Sequence, residues 1–223
     1  METPPPPPPA SALVAHWRFD EGQGQRAADS SPAGNHGTLT GGASFVSPGC
    51  PLAKFPNPAA VSLDGQAEVV AGVARLPRTD AAKTISLWVR APGPAATTQA
   101  YLSLTNRALG CGVQIGVRGR TLAVWKWGGE VMVSMPAPGT GWHHVFYAFD
   151  GTNHRLRLDG ATAVVSTAVS QSCAVAEAVV GNYLNGGNHY VGEIDDLRIY
   201  DRALSETEAA QLARGENLPG EAQ

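Results

Sequence analysis

The chain has 223 residues and a formal net charge of −3, with 43% hydrophobic and 16% charged residues. That composition supports one sizeable core. It argues against a nucleic-acid or anionic-membrane partner, because the Lys and Arg residues are scattered rather than gathered into a stripe. No apolar run reaches the roughly 18 residues that a membrane-spanning helix needs.

Residues 1–11 carry six consecutive prolines, which form a stiff polyproline spacer, and they are read as a tail or linker outside the fold. No signal peptide is visible. A proline spacer ahead of a β domain suits an exported module whose signal has been removed. From residue 12 the period is two: Leu13, Ala15, Trp17 and Phe19 alternate with His16, Arg18 and Asp20. The same alternation returns at Ile85, Leu87 and Val89, at Val145, Tyr147 and Phe149, and at Leu156 and Leu158. It places one face on a core and the other toward solvent, as antiparallel sheets allow. Asp64-Gly65, Gly128-Gly129, Asp150-Gly151 and Asp159-Gly160 supply hairpin turns.

One helix is predicted, in SETEAAQLARG at 205–215. Ser205 and Glu208 form a capping box, Ala209, Leu212 and Ala213 an apolar stripe, and Gly215 the left-handed exit. The expectation is an all-β, two-sheet antiparallel sandwich over residues 12–216 with a short C-terminal helix, followed by a tail at 217–223. Cys50, Cys111 and Cys173 are too widely spaced for a zinc site and too few for a disulfide framework. Either all three are free thiols, or one bridge leaves one thiol free, and Cys111 with Cys173 is then the favoured pair.

Several stretches carry candidate chemistry. Glu193-Ile194-Asp195 begins like the E-I-D-x-x-E strand of laminarinase-type β-glucanases, but neither expected position of the second Glu carries one, so the two flanking carboxylates that a retaining glycosidase needs are missing. Ile194 differs in parity from Leu197 and Ile199. If all three face the core, a β-bulge must fall at Asp195–Asp196. In LAVWKW, Leu122 and Val124 take core parity, which leaves Trp125 and Trp127 on the opposite face as a stacking platform for sugar rings. The loop GNYLNGGNHY sets Asn182, Tyr183 and Asn185 among glycines as hydrogen-bonding groups for sugar hydroxyls. His143 and His144 are adjacent on a strand and face opposite sides, so they make no metal pair.

Taken together, HWRFDEGQGQRAADSSPAGNHGTL (16–39), AVSLDGQAEVV (60–70), TISLWVRAP (84–92), GWHHVFYAFDG (141–151), LRLDG (156–160) and GEIDDLRIYDRALSETE (192–208) resemble, in order, the LamG-like jelly-roll domains of the concanavalin A-like lectin and glucanase group. The resemblance implies a jelly-roll sandwich and a ligand-binding or adhesive module attached to something larger. It also implies a structural calcium ion held by Asp29, Asn35 and Asp195, with the carbonyl of Gly37 or Thr38 as a helper and Asp20 as a rival ligand. Pro32-Ala33 departs from the family's loop spacing. The reading is a non-catalytic, calcium-stabilised, extracellular or cell-surface carbohydrate-binding module whose partner is a glycan. The alternative is a protein-interaction or adhesion domain that meets a cell-surface protein.

Overall fold

The structure, a computed structural model, describes residues 12–52, 56–72, 75–93, 97–106, 111–170, 172–182 and 189–221. Its strands begin with β1 (Leu13–Trp17), β2 (Arg26–Ala27), β3 (Gly37–Thr40), β4 (Ser44–Val46), β5 (Ala60–Asp64) and β6 (Glu68–Gly72). They continue with β7 (Lys83–Ala91), β8 (Thr98–Thr105), β9 (Gly112–Arg118), β10 (Thr121–Lys126) and β11 (Val131–Pro136). The last are β12 (Gly141–Phe149), β13 (His154–Leu158), β14 (Val164–Ser166), β15 (Glu177–Val180) and β16 (Val191–Tyr200), ahead of helix α1 (Glu206–Ala213). Every pairing between them is antiparallel.

Two sheets form. Sheet A runs β14-β13-β12-β7-β16-β5-β4, with β1 also paired to β16, and sheet B runs β11-β10-β9-β8-β15-β6-β3-β2. The alternating residues of the sequence meet between them: Ile85, Leu87 and Val89 of β7, Val145, Tyr147 and Phe149 of β12, and Leu102, Leu104, Ile115 and Val124 of sheet B share one core. Burying these side chains is the dominant favourable term, at about 1.5–3 kcal/mol for each large aliphatic side chain.

A second cluster lies outside sheet A, where Leu204, Ala209, Leu212 and Leu218 pack on Leu13, Phe146, Ala148 and Tyr200. The helix begins as its sequence requires: Ser205 Oγ accepts from Glu208 N, and the Glu208 carboxylate accepts from Ser205 N at 2.8 Å. The described residues beyond it, expected as a tail, pack against the domain. Glu221 accepts from Arg198 Nη1 at 2.9 Å and from the Tyr200 hydroxyl at 2.7 Å.

Cys111 and Cys173 are bonded across a sequence separation of 62, and Cys50 is a buried free thiol. The bridge pins the segment before β15 to the start of β9. Closing a loop of this length removes denatured-chain entropy worth about 2–4 kcal/mol. The double substitution Cys111→Ala/Cys173→Ala is expected to lower the unfolding free energy by about that amount in urea titration, whereas an unchanged midpoint would mean the bridge holds nothing.

Candidate functional site on the outer face of sheet A

Strand β16 changes partner along its length. Val191–Ile194 pair with β5, Leu197–Tyr200 pair with β1, and the register with β7 slips between Asp195 and Arg198. Asp196 takes the left-handed conformation (φ 44°) that one extra residue demands. Ile194, Leu197 and Ile199 therefore all reach the core, as the parity conflict in the sequence requires. Both acids stay on the outer face.

Their surroundings separate them. Asp195 Oδ2 accepts from Cys50 N at 2.7 Å and Asn57 Nδ2 at 2.6 Å, while Oδ1 accepts from Asp196 N at 2.8 Å. Asp196 Oδ1 accepts from His16 Nε2 at 2.7 Å and from Arg198 Nε and Nη2 at 3.0 and 2.9 Å. Burial pushes the Asp195 carboxyl up to about 7 against the hydrogen bonds it receives. Burial pushes Asp196 up as well, but Arg198 and His16 outweigh it and hold that carboxyl below the usual range.

Beside the acids, two transverse rows remain outside the helix-covered region. The first is Trp142, Arg90, Glu193 and Ser62, successive partners on β12, β7, β16 and β5. The second is His144, Trp88 and Asp195. Trp88 and Trp142 are half-buried. Arg90 Nη1 donates to Glu193 Oε2 at 3.0 Å. The rings of Trp88 and His144 lie 5.3 Å apart, and His144 Nε2 hydrogen-bonds Ser86 Oγ at 2.8 Å. Burial lowers the His144 pKa to about 4, so its ring is neutral near pH 7. Trp88 Nε1, His144 Nδ1 and Asn57 Oδ1 are buried atoms without a hydrogen-bond partner. Leaving such atoms unpaired costs about 1–3 kcal/mol each. Chemically, the face offers indole surface for C–H groups and a charged pair for hydroxyls.

The calcium set does not assemble. Asp29 and Asn35 come together, but all four lone-pair positions of Asp29 are used: Oδ1 accepts from His16 N and Ser31 N at 2.7 and 2.8 Å, and Oδ2 from Ser31 Oγ and Asn35 N at 2.8 and 2.7 Å. The Asn35 side chain donates to Val14 O at 2.8 Å, tying the loop to β1. Asp195 lies with Cys50 and Asn57 instead, and Asp20 pairs with Arg18. Among the described residues no three His, Cys, Asp or Glu side chains are grouped to hold a metal. A hard cation needs six to eight oxygens free to ligate, and this donor set does not fit one.

The Trp platform also differs from expectation. Leu122 and Val124 do face the core and Trp125 the other side, but Trp125 is only 2% exposed. Ala100 and Ala123 beside it are small, so the indole settles against the sheet, with the Arg118 guanidinium 5.8 Å from the ring centre. Trp127 lies just past β10, half-buried, with its backbone N–H on Gly112 O at 3.2 Å. Asn182 is nearly buried: Nδ2 donates to Glu68 Oε2 at 2.6 Å, and its backbone carbonyl accepts from Ser103 Oγ at 2.8 Å. Tyr183 and Asn185 lie outside the described residues. Trp88 and Trp142 were missed in the sequence, although the alternation that sends Leu87, Val89 and Val145 inward sends both of them outward.

Residues 63–210 match the Laminin_G_3 family, and the chain belongs to the concanavalin A-like lectin/glucanases superfamily. Among curated proteins none matches it. Solved structures share the fold. Domain 4 of AbnA, a GH43 extracellular arabinanase from Geobacillus stearothermophilus solved in complex with arabinotriose, superposes with a TM-score of 0.70 at 21% identity, over 92% of this chain and 99% of that one. The botulinum neurotoxin serotype G binding domain gives 0.68 at 14% identity over 91% of this chain, which spans 50% of that one. The binding domain of botulinum neurotoxin DC in complex with SialylT gives 0.68 at 12% identity, with 91% and 50% covered.

The raised Asp195 has a consequence for stability. Its carboxyl titrates near 3.9 in an unfolded chain and near 7 in the fold, so between those values the folded state holds the extra proton and loses stability as pH rises. His144, depressed by burial, acts in the opposite direction, but it is present in the variant too. The stability of the wild type relative to Asp195→Asn is therefore expected to fall by up to about 4 kcal/mol from pH 4 to pH 7 in denaturant titrations. A constant difference across that range would show Asp195 to be an ordinary carboxylate.

Proposed function

We propose that this domain is a non-catalytic carbohydrate-binding module of an exported protein, and that it holds a glycan on the outer face of sheet A. The observation that carries the reading is the pair of half-buried tryptophans, Trp88 and Trp142, on adjacent strands around the Arg90–Glu193 ion pair. Sugar rings present C–H faces to aromatics and hydroxyls to such polar groups, and one surface here offers both. The complexes of the arabinanase domain and the neurotoxin DC domain support the class of ligand. The carboxylates support binding rather than hydrolysis. Glu193 is engaged by Arg90, and Asp195 is fully buried beneath its Cys50 and Asn57 donors, so the two cannot flank a scissile bond. The disulfide supports export, since such bonds persist in oxidising compartments.

Affinity electrophoresis in arabinan and a glycan array including sialylated glycans test this. Retention on at least one glycan is expected, with Trp88→Ala and Trp142→Ala each weakening it by about tenfold while the melting curve stays cooperative. Chelator is expected to change neither retention nor melting, because the reading uses no metal. Absence of retention on every glycan, or full retention by the double tryptophan variant, would overturn the proposal, and capture of a protein partner by the same face would favour an adhesion domain.

A further inference from the structure

A cavity of about 390 Å³ opens between the two sheets at the end of the sandwich where β8 begins and β9 ends. A bulge builds it. The register of β8 on β9 slips between Ala100 and Leu102, so Tyr101 and Leu102, though consecutive, both turn into the core. Gly116 permits this: a Cβ there would lie 2.1 Å from the Gln99 carbonyl oxygen. Tyr101 is held edge-on to Tyr190, with ring centres 4.9 Å apart, and its carbonyl accepts from Gly181 N at 2.9 Å.

The lining is mostly apolar, with Val117, Pro136 and Pro138 among it, and the residues with polar side chains are few: Gln99, Tyr101 and Arg120. Among the described residues no acidic side chain lines the cavity. Arg120 lies between β9 and β10, exposed, with its carbonyl fixed by Ala137 N at 2.9 Å. Arg90 pairs with Glu193 and Arg155 with Asp150, whereas the Arg120 guanidinium has no carboxylate partner among the described residues. A planar fork of donors at the rim of an apolar, acid-free slot favours an anion with an apolar body. A carboxylate accepts both arms of such a fork, and its single charge matches the single guanidinium.

We infer that this end cavity binds a small amphiphilic monocarboxylate, its apolar body between Val117, Pro136 and Pro138 and its carboxylate on Arg120, with the Gln99 amide within the same cavity. The inference rests on nothing in the glycan reading, since Trp88 and Trp142 lie on the outer face of sheet A and this cavity lies between the sheets.

Isothermal titration with 2-naphthoate and its uncharged counterpart 2-naphthylmethanol, on the intact protein at pH 7, tests the inference. One saturable site for naphthoate is expected, with the alcohol at least tenfold weaker. Arg120→Ala should bring the two ligands level, and Ala137→Phe, which fills the slot while leaving the guanidinium in place, should abolish both. Trp88→Ala should leave naphthoate binding unchanged, which separates this site from the glycan face. The inference is overturned if naphthoate does not bind, if the alcohol binds equally well to the wild type, or if naphthoate binding survives both cavity variants in protein that melts normally.

Discussion

The one extra residue in β16 governs the outer face of sheet A. It falls where β16 gives up β5 as a partner and takes up β1, so the strand has two successive acids at the only place where its flank changes hands. A carboxylate buried there must be hydrogen-bonded or neutral, because an isolated charge in a low dielectric costs too much. The chain uses both solutions side by side. Asp196 remains ionised against Arg198 and His16, while Asp195 takes three N–H donors and still titrates near neutrality.

From that point the face divides. Toward the C-terminal end of β16, Arg198 carries the charge network onward to Glu221 and Asn217, and the helix lays Leu204, Leu212 and Leu218 over Phe146 and Tyr200. A buried network of this kind contributes little net stability when intact, but removing one partner is costly, so it fixes where the C-terminal segment sits. Toward the other end nothing comparable covers the strands among the described residues, and Trp88, Trp142, Arg90 and Glu193 are left partly in solvent. The same strand therefore has a closed half that holds the domain together and an open half available to a ligand.

Much of this was legible from sequence where the signal was local. The capping box of Ser205 and Glu208 placed the helix, and the parity conflict between Ile194 and Leu197 placed the bulge, because each depends only on residues a few positions apart. What could not be read depended on neighbours brought in by sheet order. The parity of Trp125 was right, but its burial depends on Ala100 of β8 and on Arg118 of β9, which the strand's own sequence does not reveal. The acidic residues assigned to calcium matched a loop pattern, but the amide donors that saturate Asp29 include His16 from β1, and two of the three on Asp195 come from residues 50 and 57. Trp88 and Trp142 were within reach of the alternation argument. They were overlooked because they sit one on each of two strands rather than two residues apart on one.

The claim that the open half of sheet A, and not the tryptophans of sheet B, meets the ligand can be read directly from the indole N–H signals of the five tryptophans. In ¹H–¹⁵N spectra recorded during titration with a glycan that retains the domain, the Trp88 and Trp142 signals should shift together and saturate, while those of buried Trp17 and Trp125 stay in place. Movement of Trp125 or Trp127 with Trp88 and Trp142 unmoved would contradict the account.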